Sequence, residues 1–169
     1  MPRAGFIALT GLLSVVCCLL SPLPAMADGM SLLQAVEKIE QDSKMLVVMA
    51  ESAGRYYRVI AIGDGKTKIF KVYADSGKVE LQKEKDWTEK SAKIHKTAKV
   101  SGSAAAKNAG MECSGEVQSL KARVDRDGNV SYCVRVKNAK RGPLNATVCA
   151  CTGRIGKVES AADAAEGCE

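Results

Sequence analysis

The sequence predicts an α+β protein made of two tandem small modules, each a helix packed on an antiparallel sheet. Three observations lead there. Apolar residues first recur at helical spacing and then alternate, as on strands. Gly-Asp-Gly and Asp-Gly pairs punctuate the alternating runs in the manner of hairpin turns. The stretch VYADSGKV, Val72 to Val79, also returns in altered form as VCACTGRI, Val148 to Ile155.

The first 27 residues stand apart from the fold. Arg3 precedes an apolar run from Gly5 to Leu20, and Ala25-Met26-Ala27 forms a small-x-small cleavage pattern. This reads as a secretory signal peptide. The run is shorter than the ~20 residues a membrane-crossing helix needs, so no transmembrane segment is expected after cleavage. Val16 precedes Cys17 where a lipid-modified cysteine would want a small residue, which argues against lipidation. The remaining chain from Asp28 carries a formal charge of +5 once Arg3 is removed. No basic stripe carries interleaved aromatic residues, so nucleic acid is excluded as a partner.

In the first module, residues 28–84, Ser31 is placed to cap a helix with Gln34 three residues on. Leu32, Leu33, Val36 and Ile39 follow at helical spacing. Met45 to Met49 reads as a strand, and Arg55 to Ile62 as a second with Tyr57, Val59 and Ala61 on one face. Gly63-Asp64-Gly65 turns the chain into a third strand, Lys68 to Ala74. Lys78 to Gln82 reads as a short edge strand. The expected core is Leu33, Val36, Val48, Val59, Ile60 or Ile62, Phe70 and Val72. Residues 85–100, dense in lysine, read as a charged helical linker whose Trp87 and Ile94 rest on a neighbour.

The second module, residues 101–159, repeats the plan. Ser103 to Ala109 reads as a short Ala-rich helix, Val117 to Val124 as a strand, Asp127-Gly128 as a hairpin turn, and Asn129 to Lys137 and Leu144 to Ala150 as further strands. Tyr57-Arg58-Val59 matches Tyr132-Cys133-Val134. Residues 160–169 form an acidic tail.

Met30 to Lys83 resembles the PepSY domain known from secreted-peptidase propeptides and bacterial envelope proteins. The resemblance rests on the SLLQAVEKI helix, the RYYRVIAIGDGKTKIFKVY hairpin and the ADSGKV close. That close is similar to the family's Asp-Ala-x-Thr-Gly-x-Val ending, with Tyr73 in the place of Asp and Ser76 in that of Thr. Ser101 to Glu159 looks like a divergent copy in which Cys149 stands where Asp is usual. The resemblance implies a module that binds or restrains a protein partner, a peptidase or another envelope protein. It carries no catalytic residues.

The chemistry left to weigh is that of cysteine. Cys113, Cys133, Cys149, Cys151 and Cys168 all lie in the second half, and an exported chain meets an oxidising compartment, so each is a disulfide candidate. Cys149 and Cys151 are expected to be oxidised with different partners, and a Cys133–Cys149 bridge is geometrically possible. Cys168, on the polar tail, is the expected odd thiol. No resident metal or cofactor is expected: a structural zinc site needs four ligands, and His95 is the single histidine. DRDGN, Asp125 to Asn129, lacks the spacing of an EF-hand calcium loop and reads as a hairpin turn. Asn145-Ala146-Thr147 is a glycosylation sequon, which matters only in a eukaryotic secretory route. The resulting expectation is an exported, periplasmic or secreted, non-catalytic binding protein. The alternatives are a periplasmic metal-binding or thiol-redox protein using Cys149 and Cys151, and an envelope structural protein.

Overall fold

The computed structural model describes residues 29–162; the leader, Cys168 and most of the acidic tail lie outside the described residues. The described residues are α+β, with three helices and one eight-stranded antiparallel sheet. Helix α1 (Leu32–Ser43) opens on the capping box that the sequence signals. Ser31 N–H donates to Gln34 Oε1 at 2.8 Å, and Gln34 N–H to Ser31 Oγ at 3.3 Å. The helix stops at Lys44, whose φ of 57° is left-handed. Its buried side chains, Leu32, Ala35, Val36 and Ile39, form one stripe.

Four strands follow as a meander: β1 (Leu46–Ser52), β2 (Tyr56–Gly63), β3 (Lys66–Tyr73) and β4 (Val79–Asp86). The β2–β3 loop is two residues, Asp64 and Gly65, with φ of 49° and 75°. Two positive φ values mark a type I′ turn, whose twist suits a hairpin. Helix α2 (Glu89–Thr97) packs against β2 and β5 and buries Ile94. Helix α3 (Gly102–Glu112) then leads into β5 (Glu116–Val124), β6 (Val130–Asn138), β7 (Gly142–Cys149) and β8 (Ile155–Ser160).

The spatial order is β4-β3-β2-β1-β5-β6-β7-β8. Two self-contained sheets are therefore not what the chain builds. Strands β1 and β5 pair directly, Ala50 opposite Leu120, and the buried residues of both halves make one continuous core. Two boundaries move as well. Strand β4 runs to Asp86, past residue 84, because its charged end pairs across strands: Lys66 with Asp86 at 2.7 Å and Lys68 with Glu84 at 3.3 Å. Alternating charge there signals a solvated edge strand, where a helix was expected. The strand β8, which the sequence reading does not separate from the turn before it, runs through Ser160.

The two halves make matching hydrogen bonds at matching places. Gly77 N–H donates to Tyr73 O and Gly153 N–H to Cys149 O, both at 2.8 Å. Ala74 N–H donates to Arg55 O, and Ala150 N–H to Val130 O. Ala74 O accepts Met30 N–H, and Ala150 O accepts Val100 N–H. The Tyr57 and Tyr132 hydroxyls donate to Met30 O and Val100 O, at 2.7 and 2.9 Å. Each half thus ties its last hairpin to the residue that leads into its helix cap, Ser31 or Ser101.

One contact has no counterpart. The Glu40 carboxylate accepts Gly102 N–H at 2.8 Å, Ser103 N–H at 3.2 Å, Val47 N–H at 3.2 Å and the Ser103 hydroxyl. A carboxylate at a helix N-terminus satisfies donors that the helix leaves open and complements the helix dipole. Glu40 therefore fastens α1 to the start of α3 and the start of β1. The approach is close: a Cβ on Gly102 would lie 2.5 Å from Val47 O. Helix α3 buries only small residues, Gly102, Ala105, Ala106 and Ala109.

Candidate functional site: the open face of the sheet

Helices α1 and α3 pack on one face of the sheet. Strand alternation sends Val59, Phe70, Val72, Leu120, Val134 and Val148 to that side, all buried. Of the expected core, Val36, Val59, Ile62, Phe70 and Val72 are buried, whereas Leu33, Val48 and Ile60 are half-buried.

The opposite face carries a different chemistry. Tyr56 and Tyr73 sit opposite each other on β2 and β3, their ring centroids 6.4 Å apart and tilted by 56°. The Lys71 ammonium lies 4.4 Å from one ring centroid and 4.7 Å from the other, a cation–π arrangement. Tyr73 first, with neighbouring Tyr56 and Glu80, holds the Lys71 ammonium above the ordinary lysine range. The Tyr73 hydroxyl donates to Glu80 at 3.2 Å. Next to this cluster a half-buried apolar row crosses three strands, Ile69 opposite Ile60 and Ile60 opposite Met49. Arg58, beside it, reaches Glu51 at 3.5 Å. Further along, Lys121, Arg123 and Arg135 share the same face in the second half. The arrangement offers aromatic rings, aliphatic surface and cations on a rigid strand scaffold.

Two grooves flank α3 on the other side. One, of about 330 Å³, is lined by Leu33, Ala106, Gly110 and Val117. The other is a shallow depression against β8, where Met111 is 64% exposed. Among the described residues no helix is long and apolar enough to cross a membrane, and no group of three or more His, Cys, Asp or Glu side chains is placed to hold a metal ion.

The cysteines depart from expectation. Cys113, Cys149 and Cys151 are free thiols, while Cys133 is disulfide-bonded. Cys168 lies outside the described residues. Cys149 and Cys151 are thus not both oxidised with separate partners, and the Cys133–Cys149 bridge is not formed. The register gives the reason: Cys133 is opposite Thr147, and Cys149 is opposite Ser131. The two cysteines share a face but sit on a diagonal, at roughly 7–8 Å, beyond the usual reach of a disulfide. Cys113 ends α3 and is buried, and burial pushes its thiol up. Cys149 closes β7 with its thiol turned into the following turn. The Thr152 hydroxyl and then the N–H groups of Cys151 and Thr152 hold it below the ordinary thiol range. Cys151 is exposed, its thiol 3.3 Å from Thr97 O.

The other singled-out motifs resolve simply. Asp125 accepts Asn129 N–H at 2.8 Å inside the β5–β6 hairpin, and Gly128 takes a φ of 87°. His95 is exposed and lies against Trp87, their ring centroids 4.8 Å apart and tilted by 43°, and Trp87 Nε1 donates to Lys66 O. Asn145 is 7% exposed on β7. Sequence reading missed Glu40, whose partners Gly102 and Ser103 are 62 and 63 residues away.

Comparison with known proteins adds little to this geometry. No family model matches the chain, and no curated protein matches it. One solved structure, described as a "putative lipoprotein" from Clostridium difficile 630, is 18% identical with a TM-score of 0.43. The match covers 75% of this chain and 90% of that one. Likeness at this level bears on neither mechanism nor ligand.

Proposed function

We propose that this is an exported, non-catalytic binding protein of the bacterial envelope, which holds an acidic, extended segment of a protein partner on the open face of its sheet. The observation that carries the reading is the Tyr56–Tyr73–Lys71 cluster beside the Ile69–Ile60–Met49 row, flanked by Arg58. Aromatic and aliphatic surface supplies contact area, and the cations select acidic residues. The matching hydrogen bonds of the two halves support a tandem duplication of one PepSY-like unit, and the resemblance to that family points to a peptidase or another envelope protein as the partner. The signal-peptide pattern supports a periplasmic or secreted location.

A photo-crosslinking side chain placed at Ile69, on the open face, should capture one partner saturably in the native envelope. The same side chain at Gln34, exposed on α1, should not. Capture from Gln34 in preference to Ile69 would move the site to the helical side.

A second reading has its own observation. Cys149 and Cys151 are both free, and Cys149 lies in a setting that favours its thiolate. That is the chemistry of a thiol-redox or soft-metal protein. The sheet-face reading takes precedence because among the described residues these thiols belong to no group of three or more His, Cys, Asp or Glu side chains that could hold a metal ion.

A further inference from the structure

We propose that a second copy of this chain docks on the outer edge of β8, strand against antiparallel strand about a two-fold axis at Val158, so that two eight-stranded sheets run on as one. This goes beyond the partner-binding reading and does not depend on it.

The two ends of the sheet differ. Edge strand β4 finishes in Lys83, Glu84, Lys85 and Asp86, all exposed, and a row of charges on an edge resists further pairing. Strand β8 carries only Lys157 and Glu159, and no strand among the described residues pairs with its outer side. Beside it lies the depression lined by Met111, Ile155 and Val158. Among the described residues the exposed large apolar side chains are Leu81, Met111 and Val158, and the last two border this depression. Apolar surface therefore gathers at the edge that charge leaves open.

The backbone of β8 fixes which partner strand fits. Ala161 N–H donates to Pro143 O, and Glu159 and Lys157 follow at alternate positions, opposite Asn145 and Thr147. Hydrogen-bonded positions alternate along an antiparallel pair, so Val158 and Ser160 turn their N–H and C=O groups away from β7. A docking strand must set these opposite residues that also face outward. For a second β8, the register centred on Lys157 puts lysine opposite lysine. The register centred on Glu159 puts glutamate opposite glutamate. The register centred on Val158 instead sets each Lys157 opposite Glu159 of the other copy, and lets the two Val158 residues exchange main-chain hydrogen bonds. Opposite charges across a strand pair stabilise it, and like charges destabilise it. Val158 also lies opposite Ala146, and Ala146 opposite Val134, on the helix side. The same axis thus brings both Val158 side chains and both depressions together there.

Sedimentation of the mature protein at concentrations up to roughly 100 μM, a range suited to a small interface, should show a monomer–dimer equilibrium. Val158→Pro removes an outward N–H without touching the bonds to β7, and should abolish the dimer while circular dichroism stays that of the parent. Lys157→Glu and Glu159→Lys should each weaken dimerisation at least about tenfold, because one substitution acts twice across a two-fold axis. Combining the two should restore it. A parent protein monomeric throughout, a dimer indifferent to Val158→Pro, or a double charge swap as weak as the single ones would each overturn the proposal.

Discussion

Val72→Asp should cost the protein about 4 kcal/mol or more of its stability. Val72 is fully buried on β3, opposite Tyr57 of β2 and Val79 of β4, on the same face of the sheet as Val59 and Phe70. An aspartate there has no cationic partner, and an unpaired buried charge is among the few single changes that cost about 4 kcal/mol or more. Total stability for a domain of this size is about 5–15 kcal/mol. Val72→Ala removes apolar contact alone and should cost about 2 kcal/mol. Because both halves share one core, the loss should appear as a single transition in denaturant unfolding, and not as the melting of one half. A midpoint within experimental error of the parent protein would contradict the placement of Val72.

Glu40→Ala should be the most damaging change among the partly exposed residues. It would strip the acceptor from the N–H groups of Val47, Gly102 and Ser103 and from the Ser103 hydroxyl. Ser101 would still cap α3 through Ala104 N–H at 3.1 Å, so the helix should persist while its fastening to α1 and β1 weakens. Orphaned donors in a part-buried joint, together with the lost charge–dipole interaction, place the cost at about 2–4 kcal/mol. Glu40→Gln keeps one accepting oxygen and should fall between the two. Urea unfolding of the three proteins orders them; an alanine variant as stable as the parent would show that the joint rests on β1–β5 pairing alone.

Local features were legible in the sequence because local chemistry fixes them. The Ser31–Gln34 capping box, the Asp64-Gly65 turn and the alternation of Val59 and Ala61 each follow from residues within a few positions of one another. The union of the halves was not legible. It depends on Ala50 meeting Leu120 and on Glu40 meeting Gly102, contacts across some 60 to 70 residues that leave no periodic trace. Strand β4 was read short because alternating Lys and Glu suit a helix surface and an edge strand equally, and cross-strand pairing with Lys66 and Lys68 decides between them. The cysteine states were misread for a geometric reason. Sequence placed Cys133 and Cys149 on one face, but only the register shows that they are diagonal. The candidate site was hidden because its residues come from alternate positions on separate strands, so Tyr56, Tyr73, Lys71 and Arg58 look like scattered surface residues until the strands are paired.

The central claim is that a partner is held through the open sheet face by cations and aromatic rings of the first half. Its most direct test is the affinity of the purified partner for the double variant Arg58→Glu, Lys71→Glu, measured by titration at low and physiological salt. Both side chains lie on the solvent side of the sheet, so the fold should survive, which circular dichroism checks. The account predicts affinity at least about tenfold weaker for the variant, and salt dependence that is steeper for the parent protein than for the variant. Equal affinities with equal salt dependence in a folded variant would contradict it.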